Sequence, residues 1–207
     1  MRLCLFYLCL MPFEQIQKKK YPSDVVFDSI YPKKYQDHSA RHFTPVSIAV
    51  KAAKLLVDHP DDRILDIGSG IGKFCSIGSV LTSANFYGVE QRKTLVNLSN
   101  KIKRKYGLKN AHFINEDFTN LDFARFNGIY FFNSFHEYVD ETCVLDESSK
   151  VSPATYKSYH ASLAEKLNEC QSGTKLVTYY TFKNKIPSSF RFIDENETRL
   201  LRFYIKK

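Results

Sequence analysis

The sequence predicts an α/β fold in which parallel strands alternate with helices, on three observations. The stretch from Arg63 to Cys75, RILDIGSGIGKFC, sets branched or bulky apolar residues (Ile64, Leu65, Ile67) against glycines at alternate positions, Gly68, Gly70 and Gly72. Two later stretches, Asn85 to Glu90 and Ala111 to Asp117, each read as a strand that ends on an acid. The segments between them repeat their apolar residues at helical spacing.

Taken in order, Met1 to Phe13 is apolar with a single Arg. It is too short for the ~20 residues a bilayer span needs, and no small-residue cleavage site follows. It reads as a helix packed on the domain or as an extension. Tyr21 to Gln36, with Pro22 and Pro32, reads as an irregular arm able to cover a pocket. His38 and His42 stand four apart but precede the helix start and enclose no catalytic acid, so no metal site is read there. Residues 1–42 are therefore expected to form an arm and residues 43–207 the domain proper. Thr44 is a candidate N-cap with Pro45 at the first helical position, ahead of an apolar face of Ile48, Ala49, Ala52, Leu55 and Leu56.

After the glycine turn, Phe74, Ile77, Val80 and Leu81 mark the next helix. A strand, a turn free of Cβ atoms and a helix N-terminus together make a nucleotide pocket. Lys93 to Tyr106 is a helix with Leu95, Leu98 and Ile102 inward, stopped by Gly107. Gly128 to Phe135 is the fourth strand. Val139 to Val151 is acidic and turn-prone (Asp140, Glu141, Asp146, Glu147), a character that favours a cationic substrate if it borders the cleft. Ser152-Pro153 opens a helix with Tyr156, Tyr159, Leu163 and Leu167 inward. Strands at Lys175 to Phe182, Phe190 to Asp194 and Leu200 to Lys206 close the chain, the last two as a hairpin.

Composition bounds the function. With 207 residues, 43% of them hydrophobic and 25% charged, the chain suits one globular domain. Five cysteines, Cys4, Cys9, Cys75, Cys143 and Cys170, form no C-x-x-C pair and predict reduced thiols in the cytoplasm, not a disulfide framework or a zinc site. The net charge of +8 is concentrated in Lys18 to Lys20, Lys33 with Lys34, and Lys101, Lys103, Arg104 and Lys105. This leaves nucleic acid possible as a partner but not favoured, because no recognition motif accompanies the charge.

The pocket's details select the nucleotide. Lys73 stands where a dinucleotide fingerprint has its third glycine, which speaks against NAD. The pattern Asp66-x-Gly68-x-Gly70-x-Gly72 resembles the first motif of the class I S-adenosylmethionine-dependent methyltransferases. Phe43-Thr44-Pro45 resembles the F-T-P segment found before the first strand of members that act on amino groups, and Asn133-Ser134-Phe135 resembles their N-P-P-Y turn with Ser134 in place of proline.

From Phe43 onward the resemblance implies a Rossmann-like, doubly wound, seven-stranded sheet, mostly parallel with a C-terminal antiparallel hairpin. It implies S-adenosyl-L-methionine as cofactor, held by Phe43, Thr44, Asp66, Gly68, Ser69, Gly70 and Gly72 at the methionine end, Glu90 with Gln91 at the ribose, and Asp117 with Phe118 at the adenine. Asn133 would accept a hydrogen bond from the target nitrogen, Phe135 would stack on a flat acceptor or pack around a cationic one, and His136 or Glu137 would serve as base or substrate contact. The expected function is methyl transfer to a protein lysine or other amino group. A small-molecule or RNA acceptor, and an inactive binding subunit, are the alternatives. Oligomeric state is not legible.

Overall fold

The computed structural model describes residues 12–140 and 151–207. Cys4, Cys9, Cys143, nearly all of the apolar N-terminal stretch and the acids Glu141, Asp146 and Glu147 lie outside the described residues. Within them, seven strands form one sheet: β1 (Arg63–Ile67), β2 (Asn85–Glu90), β3 (Ala111–Asn115), β4 (Gly128–Phe132), β5 (Lys175–Tyr179), β6 (Phe190–Glu195) and β7 (Leu201–Lys206). Their order is β3-β2-β1-β4-β5-β7-β6. The first five are parallel, and β7 runs antiparallel to both β5 and β6. The order reverses at β1, beside which a doubly wound sheet opens a crevice at its carboxyl edge.

Alternate strand residues enter two apolar layers. Ile64, Tyr130 and Val177 join α1 (Val46–Leu56), α2 (Lys73–Leu81) and α3 (Lys93–Tyr106) in one cluster. Leu65, Ile67, Ile129, Phe131 and Leu176 join α4 (Pro153–Glu169) and two short turns in the other. Glycines set two close approaches. A Cβ on Gly78 would sit 2.3 Å from the Phe86 ring, and one on Gly128 would sit 2.8 Å from Ile64. At α3 the predicted boundaries hold to the residue, with Gly107 left-handed at φ 64°.

Three strands end earlier than predicted, each for a local reason. β3 stops at Asn115 because the Asp117 carboxylate accepts from the Thr119 amide and caps a 3-10 turn, Phe118–Asn120. β4 stops at Phe132 because Asn133 turns to φ 35°, and β5 stops at Tyr179 because Tyr180 turns to φ 54°.

The N-cap assigned to Thr44 is also corrected. Pro45 precedes α1, and the Thr44 hydroxyl lies 3.1 Å from the Tyr130 hydroxyl. The Val46 amide donates instead to Asp24 of the arm at 2.8 Å.

The arm folds into short helices at Asp24–Asp28, Lys33–Gln36 and Ser39–His42, with a further helical segment at residues 12–17. Phe13, Ile16, Phe27, Tyr31 and Tyr35 enter the first apolar cluster. Lys73, only 3% exposed at the first position of α2, pairs with Asp24 at 2.7 Å and Asp28 at 2.8 Å. A cation there opposes the helix dipole, so the two arm carboxylates supply the compensating charge.

Candidate active site

A cavity of about 720 Å³ opens at the carboxyl ends of β1, β2, β4 and β5. Its floor is the turn after β1. The Gly68 and Ser69 amides both donate to the Val89 carbonyl at 3.0 Å, which ties that turn to β2. Gly68 has φ 68°, and a Cβ there would meet the Ser134 Cβ at 2.5 Å. Gly70 has φ 54°, and a Cβ there meets no protein atom within 4 Å, so this part of the turn is bare beside the cavity. Gly72 differs. It is absent from the cavity wall, and its missing Cβ makes room for the Phe113 ring, which would otherwise lie 2.3 Å away. Gly72 is a packing glycine.

Glu90 is buried at the end of β2, where one carboxylate oxygen accepts from the Gly70 amide at 3.1 Å. The other accepts from the Arg92 amide and Nε, each at 3.0 Å. The same guanidinium reaches Glu137 on the loop after β4 at 3.0 and 3.1 Å, and His42 approaches Glu137 at 3.9 Å. Burial, outweighing the attraction of Glu137, holds the His42 ring below its usual range.

Asp66, also on the wall, is pushed up to about 7 by burial and by the nearby Glu90 charge, against the lowering effect of the Cys75 thiol that donates to it at 3.5 Å. Asp117 accepts from Tyr159 at 2.6 Å and from both the amide and the hydroxyl of Thr119. Burial alone would raise its carboxyl, but these hydrogen bonds prevail and keep it below the usual range.

On the other side stands Asn133, left-handed at φ 35°, its carbonyl accepting from the His136 amide at 3.0 Å. Its side-chain amide has no hydrogen-bond partner among the described residues. Ser134 replaces the motif proline but donates to the Ile67 carbonyl at 2.7 Å, so a hydrogen bond to β1 fixes the turn that a ring would have stiffened. Phe135 lines the wall with 4% exposure, its ring stacked on Phe118 at 5.3 Å and tilted against Phe131 and Tyr159. His136 is about half exposed and lies 3.6 Å from Asp140.

Phe43, Thr44, Ser69, Gln91 and Phe118 are on the wall as well, so the cavity gathers every site residue read from the sequence except Gly72. Sequence reasoning missed Arg92, Tyr159 as a polar partner of Asp117, and the aromatic rim of Tyr180 and Phe182. The exposed aromatics after β5 were a signal, but the predicted strand ran through them.

A family model described as a methyltransferase domain matches residues 58–178. The chain belongs to the methyltransferase-domain family. No curated protein matches the sequence. Among solved structures, an RNA methyltransferase from Salinibacter ruber in complex with S-adenosyl-L-homocysteine is 17% identical, with a TM-score of 0.54 over 79% of this chain and 91% of that one. TrmN from Thermus thermophilus is 15% identical, with a TM-score of 0.59 over 84% of this chain and 52% of that one. The [4+2]-cyclase SpnF is 15% identical, with a TM-score of 0.55 over 74% and 61%. At these identities the likeness is one of fold, and SpnF is the reason function must be argued from the site.

The resemblance read from the sequence implies S-adenosylmethionine as the methyl donor. The cavity fits that cofactor by its own chemistry. A bare left-handed turn gives an adenosyl group room, and a buried carboxylate at the end of β2 and a second acid after β3 offer acceptors for its hydroxyls and amine. Among the described residues no cluster of His, Cys, Asp or Glu could hold a metal, and no helix is long and apolar enough to cross a membrane.

Proposed function

We propose that this methyltransferase alkylates an amino nitrogen, on a protein side chain, a small molecule or a nucleobase, with Asn133 orienting the acceptor. The observation that carries this reading is the Asn133 amide, which lines the cavity in a left-handed conformation with no described partner. Such a conformation is uncommon outside glycine, and holding a residue in it costs about 1–3 kcal/mol, which the surrounding structure must offset. Here the offset is the Ser134 bond to β1 and the His136 bond to the Asn133 carbonyl.

The residues divide the work. Gly68, Ser69 and Gly70 leave space for the methionine end, and Phe43, Thr44 and Asp66 border it. Glu90 stands at the ribose, where its oxygen facing Gly70 accepts from that amide at 3.1 Å and from a terminal Arg92 nitrogen at 3.4 Å, the longer contact being the one a hydroxyl would displace. Asp117, fixed by Tyr159, accepts the adenine amine beside Phe118, and Gln91 flanks the ribose.

When bound, the cofactor would supply an electrophilic sulfonium methyl for in-line displacement by the acceptor nitrogen, the C–S electron pair leaving with sulfur. Because that displacement is in line, the protein's task is alignment of a neutral nucleophile about 3 Å from the methyl carbon. The Asn133 side-chain oxygen accepts an N–H of the acceptor and so aims its lone pair without adding charge. Phe135 backs this turn from the core, and half-exposed His136 or the solvent takes the proton that the alkylated nitrogen sheds.

Incubation with labelled cofactor and fractionated peptide, RNA and metabolite pools tests the proposal. Asn133→Ala should lower kcat roughly 100-fold while leaving cofactor affinity within about twofold, as expected for a group that acts on the acceptor alone. Full activity in that variant, or cofactor binding without transfer to any pool, would refute an orienting role.

A further inference from the structure

Two consecutive residues after Glu90 reach across the cavity to a single turn. Their backbone is held from β3, because the Glu90 and Gln91 carbonyls accept from the Asn115 side chain at 3.1 and 2.9 Å. From that bracket the Gln91 side chain donates to the Tyr138 hydroxyl at 3.0 Å, and Arg92 Nη1 donates to the two Glu137 oxygens at 3.1 and 3.0 Å. Glu137 and Tyr138 belong to a 3-10 turn, His136–Tyr138, that follows Asn133 directly and lies 45 residues along the chain from Arg92. Its amides close it: His136 donates to the Asn133 carbonyl, Tyr138 to that of Phe135 and Val139 to that of His136, each at 3.0 Å. Arg92 therefore grips the charged end of the turn that carries Asn133.

One guanidinium serves two carboxylates. Arg92 also donates to Glu90, through Nε at 3.0 Å and Nη2 at 3.4 Å. All three side chains are largely buried, so salt screens little of their charge. His42 stands 3.9 Å from Glu137, outside hydrogen-bond reach, and burial holds its ring below the usual range, so it does not replace the guanidinium. A ribose hydroxyl on the Glu90 oxygen that faces Gly70 would take the place of the 3.4 Å contact. The guanidinium is then held more by its shorter, charge-assisted contacts to Glu137.

Resting on the reading of Glu90 and Asn133 above, we infer that Arg92 is a positioning residue that couples an occupied cofactor seat to a firmly held Asn133 turn. The acceptor is thereby aligned when the methyl donor is in place. Such coupling is reciprocal, so the turn must strengthen cofactor binding by the factor with which the cofactor steadies the turn.

The full chain, Glu137→Gln, Arg92→Met and the double variant are titrated with S-adenosylhomocysteine by calorimetry. Hydrogen exchange of peptides covering residues 133–140 is measured on each, free and saturated. In the unmodified chain saturation should slow exchange of this turn about fivefold or more, and in either single variant that slowing should disappear. Glu137→Gln leaves Arg92 wholly on Glu90, in competition with the ribose, and should weaken S-adenosylhomocysteine about fivefold or more. With Arg92 already Met, the same substitution should change affinity less than about twofold, because its route to Glu90 is gone. A brace without coupling would speed exchange in the variants yet keep the slowing on saturation. That result in either variant, no slowing in the unmodified chain, or equal effects of Glu137→Gln in the two backgrounds overturns the inference. Absence of saturable binding to the unmodified chain removes the cofactor reading and the coupling with it, whereas binding without slowing removes the coupling alone.

Discussion

At Gly68 a single hydrogen atom separates a working turn from a collision. An added Cβ would lie 2.5 Å from the Ser134 Cβ and 2.7 Å from its Oγ, on a backbone at φ 68°. Gly68→Ala should therefore lower stability by about 2–4 kcal/mol, combining the left-handed penalty with the displaced serine. Chemical denaturation measures it, and adding Ser134→Gly should recover the steric part but not the backbone part.

Glu90 admits a sharper test. Glu90→Ala removes the proposed ribose acceptor and should weaken cofactor binding by about 1.5–3 kcal/mol, a change of roughly ten- to hundredfold in Kd by calorimetry. Two other buried groups set opposite responses to pH. Asp66 titrates near 7 in the folded protein against an ordinary 3.8, so between those values the folded state keeps a proton that the unfolded chain has released. Its contribution to stability is full below pH 3.8 and declines as pH rises through 7. His160, buried against Phe131, Phe135 and Tyr156 with neither ring nitrogen bonded among the described residues, is pushed down to about 4 from 6.5 by burial. Its contribution is lost as pH falls from 6.5 to 4. Relative to the unmodified protein, Asp66→Asn should be least favourable near pH 4 and gain ground toward pH 8, whereas His160→Phe should gain most below pH 6. Denaturant midpoints across pH 4–8 read both differences, and coincident profiles would exclude the titrations.

At the scale of elements, the arm is fastened by charge. Lys73 joins Asp24 and Asp28 across some 45 residues, and Asp24 also receives the first amide of α1. Lys73→Ala leaves Asp28 buried with its main counter-charge gone, so a loss of about 3–5 kcal/mol is expected, with proteolysis between residues 20 and 45 as the local readout. Lys73→Met tests packing alone and should still lose the ionic share.

These long-range ties also mark where sequence reading stops. β1, its glycine turn, β2 and α3 were legible because period, apolar run and stop signal are local and agree. Thr44 looked like the cap of α1, but the donor was met by an aspartate 22 residues upstream. The ends of β4 and β5 were set by turns tied to β1 and to the C-terminal hairpin. Phe135 held the motif position of a stacking residue, yet the fold packed it against Phe118, and the exposed rings came from beyond β5. Of the alternate glycines, two line the cavity and the third abuts the Phe113 ring.

For the whole molecule, the sheet order and the site are consistent with each other. The reversal of strand order at β1 opens the crevice, and the residues that leave β1, β2, β4 and β5 close around it. The guanidinium of Arg92 then ties the end of β2 to the loop after β4, since it holds Glu90 and Glu137 together.

The most direct measurement is calorimetric titration of the purified chain with S-adenosylhomocysteine, beside the Glu90→Ala variant. One site per chain, weakened at least tenfold in the variant, is the predicted result. No saturable heat in the unmodified protein, or equal affinity in both, would contradict an adenosyl cofactor seated on the turn after β1 and the carboxylate that ends β2.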